Sequence, residues 1–441
     1  MSSHPNPVRR RYLFALADGG GTVPPELGIV RRLVERGHDV RVLAEASMAD
    51  DVRATGAELV VWARGVNRAS RRPEDDPYRD WECRNPFALF ARVLDRVFVG
   101  PAAGYAADVR DAVGDRRPDL VLCSMFAYGA MIGAESAGLP FDVLLPNAYA
   151  LPAPGMPPFG MGLRPAGGPA GRLRDRVIST LTGRLWARGL APMNQLRHQF
   201  GLEPLSSFFE QFARSRRILT LTAAAFDFPA ELPANVRYVG PILDDPGWAS
   251  AAPWTAPPGN DPLVLVGLSS TFQDQADCLQ RIADALGTLP VRAVLTTGPA
   301  LDPCALRAPA NVSVVAAAPH SQVLAEAAVV VTHGGHGTVV RALAWDRPVL
   351  VLPHGRDQAD NAVRVTTRGA GLSLRRTASP ERIARAVRTL LDDGRYRDGA
   401  AALGSAIRHE VTTSPLLHEL EADPIGGACE QSGLPAVCPL G

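Results

Sequence analysis

Val329-Val-Val-Thr-His-Gly-Gly-His-Gly-Thr-Val-Val-Arg341 is an apolar run that breaks into a glycine-rich turn and then resumes as a second apolar run. Its first part, within a strand expected over Ala328 to Thr332, has the continuous apolar character of a strand buried on both faces. The glycines then give the tight turn that leads into a helix, which is the grammar of a parallel α/β unit. Working outward, the second half repeats that grammar. Strands are expected at Leu263 to Leu268, Val291 to Thr296, Val312 to Val315 and Pro348 to Leu352, with helices at Ala276 to Leu286, near Val323, and after Asp357 and Pro380. The first half uses it too. A strand at Tyr12 to Ala17 meets the turn Asp18-Gly-Gly-Gly-Thr-Val-Pro-Pro25, and a helix follows with Leu27, Val30, Leu33 and Val34 on one face, stopping at Gly37. Further strands are expected at Val40 to Leu43, Asp119 to Cys123 and Asp142 to Leu145. The fold class expected is α/β, with two Rossmann-like doubly wound domains facing each other across a cleft between the carboxyl edges of their sheets.

The expected organisation is a first domain over 1–240, a linker over 241–262 and a second domain over 263–395. The linker rests on the Pro, Gly, Ala and Trp-rich stretch from Asp244 to Pro262. A helical segment over 396–420 is expected to cross back to the first domain, ahead of a mobile tail over 421–441. Between Leu151 and Gly171, Pro, Gly and Met crowd a long irregular segment. Its Met156, Phe159 and Met161 suit an adaptable apolar wall for a small molecule, although a plain surface loop would read the same.

Composition excludes several chemistries. The 441 residues carry a formal net charge of +1, with 46% hydrophobic and 21% charged residues, so nothing draws the chain to nucleic acid or to an anionic membrane. All 46 basic residues are arginine, which removes Schiff-base and phosphate-loop lysine mechanisms. The six cysteines, Cys83, Cys123, Cys278, Cys304, Cys429 and Cys438, form no Cys-x-x-Cys pair and are read as reduced thiols of a cytoplasmic protein. The apolar run after Arg9, Arg10 and Arg11 spans only Tyr12 to Ala17, too short for an export signal.

The glycine turn at 333–338 is built to receive an anion. Its backbone amides and the positive end of the following helix dipole converge on one point, with His333 and the Thr338 hydroxyl as further donors. Structural glycines alone would look similar. A metal is not expected, because His333 and His336 have no third ligand nearby. Asp357-Gln358 follows the strand at Pro348 to Leu352 and pairs a carboxylate with a carboxamide, a combination that reads adjacent sugar hydroxyls. Helix capping by Asp357 is the plainer alternative, and both can hold.

On these residues, most of the chain resembles the family 1 nucleotide-sugar-dependent glycosyltransferases of GT-B fold, especially the bacterial macrolide and antibiotic type. The stretches that carry the resemblance are Gly37-His38, Tyr238-Val-Gly-Pro241, Pro319-His-Ser-Gln-Val-Leu324, His333 to Thr338 and Leu352-Pro-His-Gly-Arg-Asp-Gln358. It implies that Pro319 and His320 lie against the nucleotide base. It implies also that His333, with Gly335, His336, Gly337 and Thr338, receives the diphosphate, and that Asp357 and Gln358 grip the donor sugar. Ser269 completes this donor set. No cofactor is implied beyond the nucleoside diphosphate sugar as co-substrate. The partners implied are that donor, dTDP- or UDP-linked, and a small aglycone, and a homodimer is allowed.

The departures are informative. The family's acceptor-deprotonating histidine aligns with Thr22, and the aspartate that orients it aligns with Ser124. Both hydroxyls are far too weakly basic to replace imidazole. Asp18, at the mouth of the turn, is the expected replacement if a bound aglycone desolvates it and raises its pKa, although an Asp there also suits a turn cap. His336 and His354 are the alternatives, where an imidazolium would also balance leaving-group charge. The ribose-binding glutamate of UDP-sugar enzymes aligns with Arg341, which tilts the donor towards a dTDP-deoxysugar. The function expected is inverting sugar transfer to a small apolar natural-product aglycone. An inactive or auxiliary binding protein, a UDP-sugar-using enzyme and a sugar-nucleotide epimerase are the alternatives.

Overall fold

The computed structural model describes residues 9–83, 85–245, 247–250 and 254–422. Two all-parallel sheets organise it. In the first, β1 (Arg11–Ala15), β2 (Asp39–Ala44), β3 (Glu58–Val61), β4 (Leu120–Ser124), β5 (Phe141–Leu145), β6 (Arg217–Thr220) and β7 (Val236–Tyr238) run in the order 3-2-1-4-5-6-7. In the second, β8 (Leu263–Gly267), β9 (Arg292–Thr296), β10 (Val312–Val315), β11 (Ala327–Thr332), β12 (Val349–Val351) and β13 (Gly371–Ser373) run in the order 10-9-8-11-12-13. The central strands are largely apolar because helices cover both faces, and β4, β5 and β8 are buried along their whole length, with Asp142 of β5 paired to Arg216.

The chain order reverses between β1 and β4 in one sheet and between β8 and β11 in the other. Crevices for ligands open at such switch points, beyond the carboxyl ends of the strands. The helices that matter for the site are α1 (Val23–Glu35), α2 (Pro169–Ala187), α3 (His320–Glu326), α4 (His336–Ala344) and α5 (Gln358–Thr367). After them, α6 (Gly394–Thr412) packs on α4, and its Glu410 accepts from the backbone N–H groups of Ala224 and Ala225 at 2.7 and 3.0 Å. Then α7 (Leu416–Glu421) lies on the first sheet's helical layer. Leu416 and Leu420 join the core of Tyr12, Val30 and Val40, and Glu421 pairs with Arg36 and His38.

The two halves are tied together through buried polar groups. Asp227 of the first half accepts from Nε and Nη2 of Arg364 on α5 at 3.0 and 2.6 Å, with both side chains nearly inaccessible. The irregular segment after Leu151 is also fastened, since the N–H groups of Gly160 and Gly162 donate to Asp360 at 2.5 and 2.7 Å. It ends in α2, which starts at Pro169, inside the span expected to be irregular. The stretch expected as a linker is anchored at its start. Asp244 pairs with Arg31 and Arg32, and Asp245 with Arg341. The expected tail, with Cys429 and Cys438, lies outside the described residues apart from Glu421 and Ala422.

Candidate functional site

A cleft of about 1240 Å³ lies between the two sheets and is lined by the turns that leave both switch points. On one side β11 ends at Thr332, and His333, Gly334 and Gly335 lead into α4. Gly334 has φ +99°, and a Cβ there would come within 2.6 Å of Val351 and 2.9 Å of the Gln358 carbonyl oxygen, so only glycine fits. The turn therefore presents backbone rather than side chains. The first amides of α4 have no partner within the helix and lie where the dipole is positive.

His333, Gly335, His336, Gly337 and Thr338 all line the cleft, as do Ser269, His320, Asp357 and Gln358. Pro319 does not. It is buried at the N-cap of α3, while Ala317, Ala318 and His320 of the same segment face the cavity.

The histidines are neutral. Burial first, then the positive potential of His354 and Arg356, pulls the His333 pKa down to about 3. Burial pulls His336 to about 4, and its ring packs edge-on against Phe226 at 5.5 Å. His354 is lowered as well, mainly by burial. Burial therefore disfavours an imidazolium at these positions. These rings can only donate or accept as neutral imidazoles.

Asp357 and Gln358 begin α5. Burial raises the Asp357 pKa to about 6. Its side chain makes no capping hydrogen bond and instead accepts from Asn361 Nδ2 at 2.8 Å, so the plain capping alternative is not realised. Gln358 Oε1 accepts from the N–H groups of His354 and Gly355 at 2.7 and 3.1 Å, while its Nε2 donates to Gln273 at 2.8 Å. Gln358 therefore shapes its own loop and keeps one N–H for a ligand. Gln273 also donates to Ser269 Oγ at 3.0 Å, and Ser269 meets Thr271 Oγ1 at 3.1 Å. Arg356 joins Thr271 to Asp80 of the first half. Thr271, Gln273 and Arg356 were not anticipated, although the hydroxyl-rich Ser269-Ser270-Thr271 just after an apolar strand was a usable signal.

Arg341 is buried and donates to Asp245 Oδ1 at 3.1 Å, while Asp245 Oδ2 accepts from the Ser321 N–H at 3.0 Å. The position aligned with a ribose-binding carboxylate thus faces a carboxylate supplied by the interdomain connection. His320 sits beside this pair and is lowered to about 4, by burial first and then Arg341.

On the opposite side, β1 leads into Asp18-Gly-Gly-Gly-Thr22. Asp18 is buried, accepts from the Gly20 N–H at 2.9 Å, and pairs with Arg71 at 2.8 Å and Arg68 at 3.8 Å. The two arginines outweigh desolvation and hold its carboxyl below the usual range. The expected rise in basicity is therefore corrected: Asp18 caps the turn and neutralises arginines. Thr22 lines the cleft with its hydroxyl unpartnered, and Ser124, at the end of β4, is fully buried with its hydroxyl also unpartnered.

Met156, Phe159 and Met161 line the cleft too, with Phe159 and Met161 half open to solvent. The larger part of this wall is aromatic. Trp186 of α2 meets Phe90, Phe98 and Phe208 at ring separations of 4.9, 5.3 and 5.0 Å. These rings come from segments far apart in sequence, with no spacing that marks them as one surface. Among the described residues no group of three or more His, Cys, Asp or Glu side chains could hold a metal ion, and no helix is long and apolar enough to cross a membrane.

Comparison with known proteins agrees with this layout. Residues 280–423 match the model of the C-terminal domain of erythromycin biosynthesis protein CIII-like proteins. The 4'-demethylrebeccamycin synthase of Lentzea aerocolonigenes is 30% identical over 400 residues, covering 89% of this chain and 94% of that one. The oleandomycin glycosyltransferase of Streptomyces antibioticus is 28% identical over 359 residues, covering 79% and 75%. The calicheamicin glycosyltransferase CalG4 superposes with a TM-score of 0.74 at 24% identity, over 95% of this chain and all of that one. The anion-receiving turn, the cleft between two doubly wound sheets and these relatives converge: the chain belongs to the antibiotic-biosynthesis glycosyltransferases of GT-B fold, a family that includes the erythromycin CIII-like proteins.

Proposed function

We propose that the protein is an inverting transferase that moves a sugar from a nucleoside diphosphate sugar, with dTDP-deoxysugars favoured, to a largely apolar aromatic aglycone in the cytoplasm. The observation that carries this reading is the single cleft, with an anion-receiving glycine turn and an aromatic wall on opposite sides. A donor bound with its diphosphate at the start of α4 would direct the anomeric carbon towards the acceptor wall, on the face opposite the leaving group. In-line attack from that wall inverts the anomeric centre. The diphosphate charge is met by helix amides, the Thr338 hydroxyl and neutral His333, so the reading calls for no metal ion.

The preference for thymidine rests on Asp245. Both of its oxygens are engaged, one by Arg341 and one by the Ser321 N–H, so its grip on a second ribose hydroxyl is weaker than that of a free carboxylate. A deoxyribose lacks that hydroxyl and loses less. The same-fold protein VinC has been solved in complex with dTDP.

The test is a panel of dTDP and UDP sugars incubated with planar aromatic acceptors. The expected result is nucleoside diphosphate released only when acceptor is present, with a product heavier by one sugar and an anomeric configuration opposite to that of the donor. Nucleotide binding without turnover would point to an auxiliary protein, and an altered donor without acceptor would point to an epimerase.

A further inference from the structure

Between Leu151 and the start of α2 the chain forms no helix or strand, so its backbone amides have no ladder of neighbours to bond. Two of them are nevertheless held, and by the other half of the molecule. The N–H of Gly160, in the peptide group that follows Phe159, donates to Asp360 Oδ2 at 2.5 Å. The N–H of Gly162, in the peptide group that follows Met161, donates to Asp360 Oδ1 at 2.7 Å. Each carboxylate oxygen thus takes one charge-assisted bond. Gly162, at φ +60°, also seats on α5 directly, since a Cβ there would come within 2.9 Å of Ala359 Cβ. One turn further along α5, Arg364 Nη2 reaches Met156 Sδ at 3.6 Å while Asp227 fixes its guanidinium. Met156, Phe159 and Met161 line the cleft, whereas Asp360 is buried and meets the cleft only through the backbone it holds. An acid in the first turn of a helix suits the dipole whatever it bonds. The dipole does not explain why both oxygens are spent on amides from a segment so distant in sequence.

We propose that Asp360 is a positioning residue for the acceptor: by clasping the peptide groups after Phe159 and Met161 it fixes that part of the wall in place before an aglycone arrives. The inference rests on the reading of the cleft as one that transfers a sugar to an apolar acceptor. Phe159 and Met161 are half open to solvent and flank a glycine, so nothing within their own segment holds them in one arrangement. Without the clasp, the ordering of two rotamer-rich side chains and their backbone falls on the binding step and weakens it. The donor side is spared. Asp357 and Gln358 open the same helix, but their partners are Asn361, His354, Gly355 and Gln273, and none of these bonds passes through Asp360. A single turn of α5 therefore serves both substrates, with its first residues facing the donor and Asp360 setting the acceptor wall in a fixed relation to them. The choice of acceptor then depends on a residue of the second half that touches no substrate.

The test uses the full chain with the nucleoside diphosphate sugar and planar aromatic acceptor that the wild type turns over best. A wild type that turns over no such pair sinks the transferase reading and this inference with it, whereas turnover with an acceptor KM indifferent to position 360 sinks this inference alone. Asp360→Ala should raise the acceptor KM about tenfold, with kcat changed by less than about threefold and dTDP affinity, measured by calorimetry, unaltered. Asp360→Asn keeps one acceptor oxygen and should fall between Asp360→Ala and wild type. Gly162→Ala pushes the segment off α5 from the other side, so it should raise the acceptor KM by a similar factor, and the double variant should do no worse than the larger single effect. An acceptor KM within about twofold of wild type in Asp360→Ala would overturn the proposal. So would a dTDP affinity that falls as far as the acceptor KM rises, since Asp360 would then be a support of α5 alone. Should Asp360→Ala fail to fold, Gly162→Ala, in a loop rather than a helix, decides by the same two measurements.

Discussion

The turn at 18–22 and the turn at 333–338 are the same backbone device used twice. Each leaves a strand at its sheet's switch point, each is rich in glycine, and each leads into a helix at the edge of the cleft, but Pro24 and Pro25 strip the first turn of α1 of two amides that the start of α4 keeps. Their charges differ. The turn after β11 holds neutral imidazoles and a threonine with no carboxylate among its side chains, so nothing competes with an anionic ligand for the helix start. The turn after β1 carries Asp18 and leads to Glu26, two carboxylates that occupy the positive end of α1 from within. The difference teaches that a helix N-terminus is left open to an anion only where the protein supplies neither a carboxylate nor a proline of its own there. Where the protein supplies its own carboxylate, as at Asp18, the turn becomes a place to cap and to pair.

The most damaging way to break this contrast is to move a carboxylate to the donor turn. Thr338→Glu should leave the fold intact, because an acid in the first turn of α4 favours the helix dipole. It should nevertheless weaken nucleoside diphosphate binding by more than about 100-fold through like-charge repulsion and loss of the hydroxyl donor. Calorimetry with dTDP measures this, and near-normal affinity would detach the diphosphate from α4.

A smaller effect is expected at the acceptor turn. Asp18→Asn should cost roughly 2 kcal/mol of stability, a charge-assisted bond to Arg71, softened because Arg68 keeps Glu45 and Arg71 keeps Asp51. The sign with pH follows from the lowered folded pKa of Asp18. Its stabilisation is fully present above the unfolded value of about 3.9 and is lost as pH falls through the folded one. Wild type and Asp18→Asn should therefore differ in denaturation midpoint at pH 6 and converge on acidification. A gap that widens as pH falls would reverse the assignment.

How much of this was legible in sequence follows the same divide. The donor turn is one contiguous stretch, so His333 to Thr338 and Asp357-Gln358 could be read from their own residues, and the fully apolar strands β8 and β11 announced themselves. The short strands β3, β6, β7 and β13 were not read; β13, for example, is three residues opening on Gly371, with no periodicity to detect. Met156, Phe159 and Met161 were read as one wall of the cleft, but its aromatic part was missed because Phe98, Trp186 and Phe208 meet only after folding. Asp245 was hidden because a stretch rich in Pro and Gly reads as a linker, yet its first aspartates are pinned by arginines from both halves. Glu26 did leave a signal. An acidic residue in register with Val30 and Leu33, on the face that should be apolar, is out of pattern.

The central claim is a division of labour, with diphosphate held by the turn after β11 and the aglycone by the aromatic wall of the first half. The direct measurement is calorimetric titration of dTDP into wild type, His333→Ala and Trp186→Ala, alongside acceptor KM for all three. The account predicts that His333→Ala loses about tenfold in dTDP affinity, roughly 1.4 kcal/mol for one hydrogen bond to a charged group, and leaves acceptor KM nearly unchanged. Trp186→Ala should show the converse, with a raised acceptor KM and unaltered dTDP affinity. Equal losses in both quantities for both variants, or the reverse pattern, would contradict it.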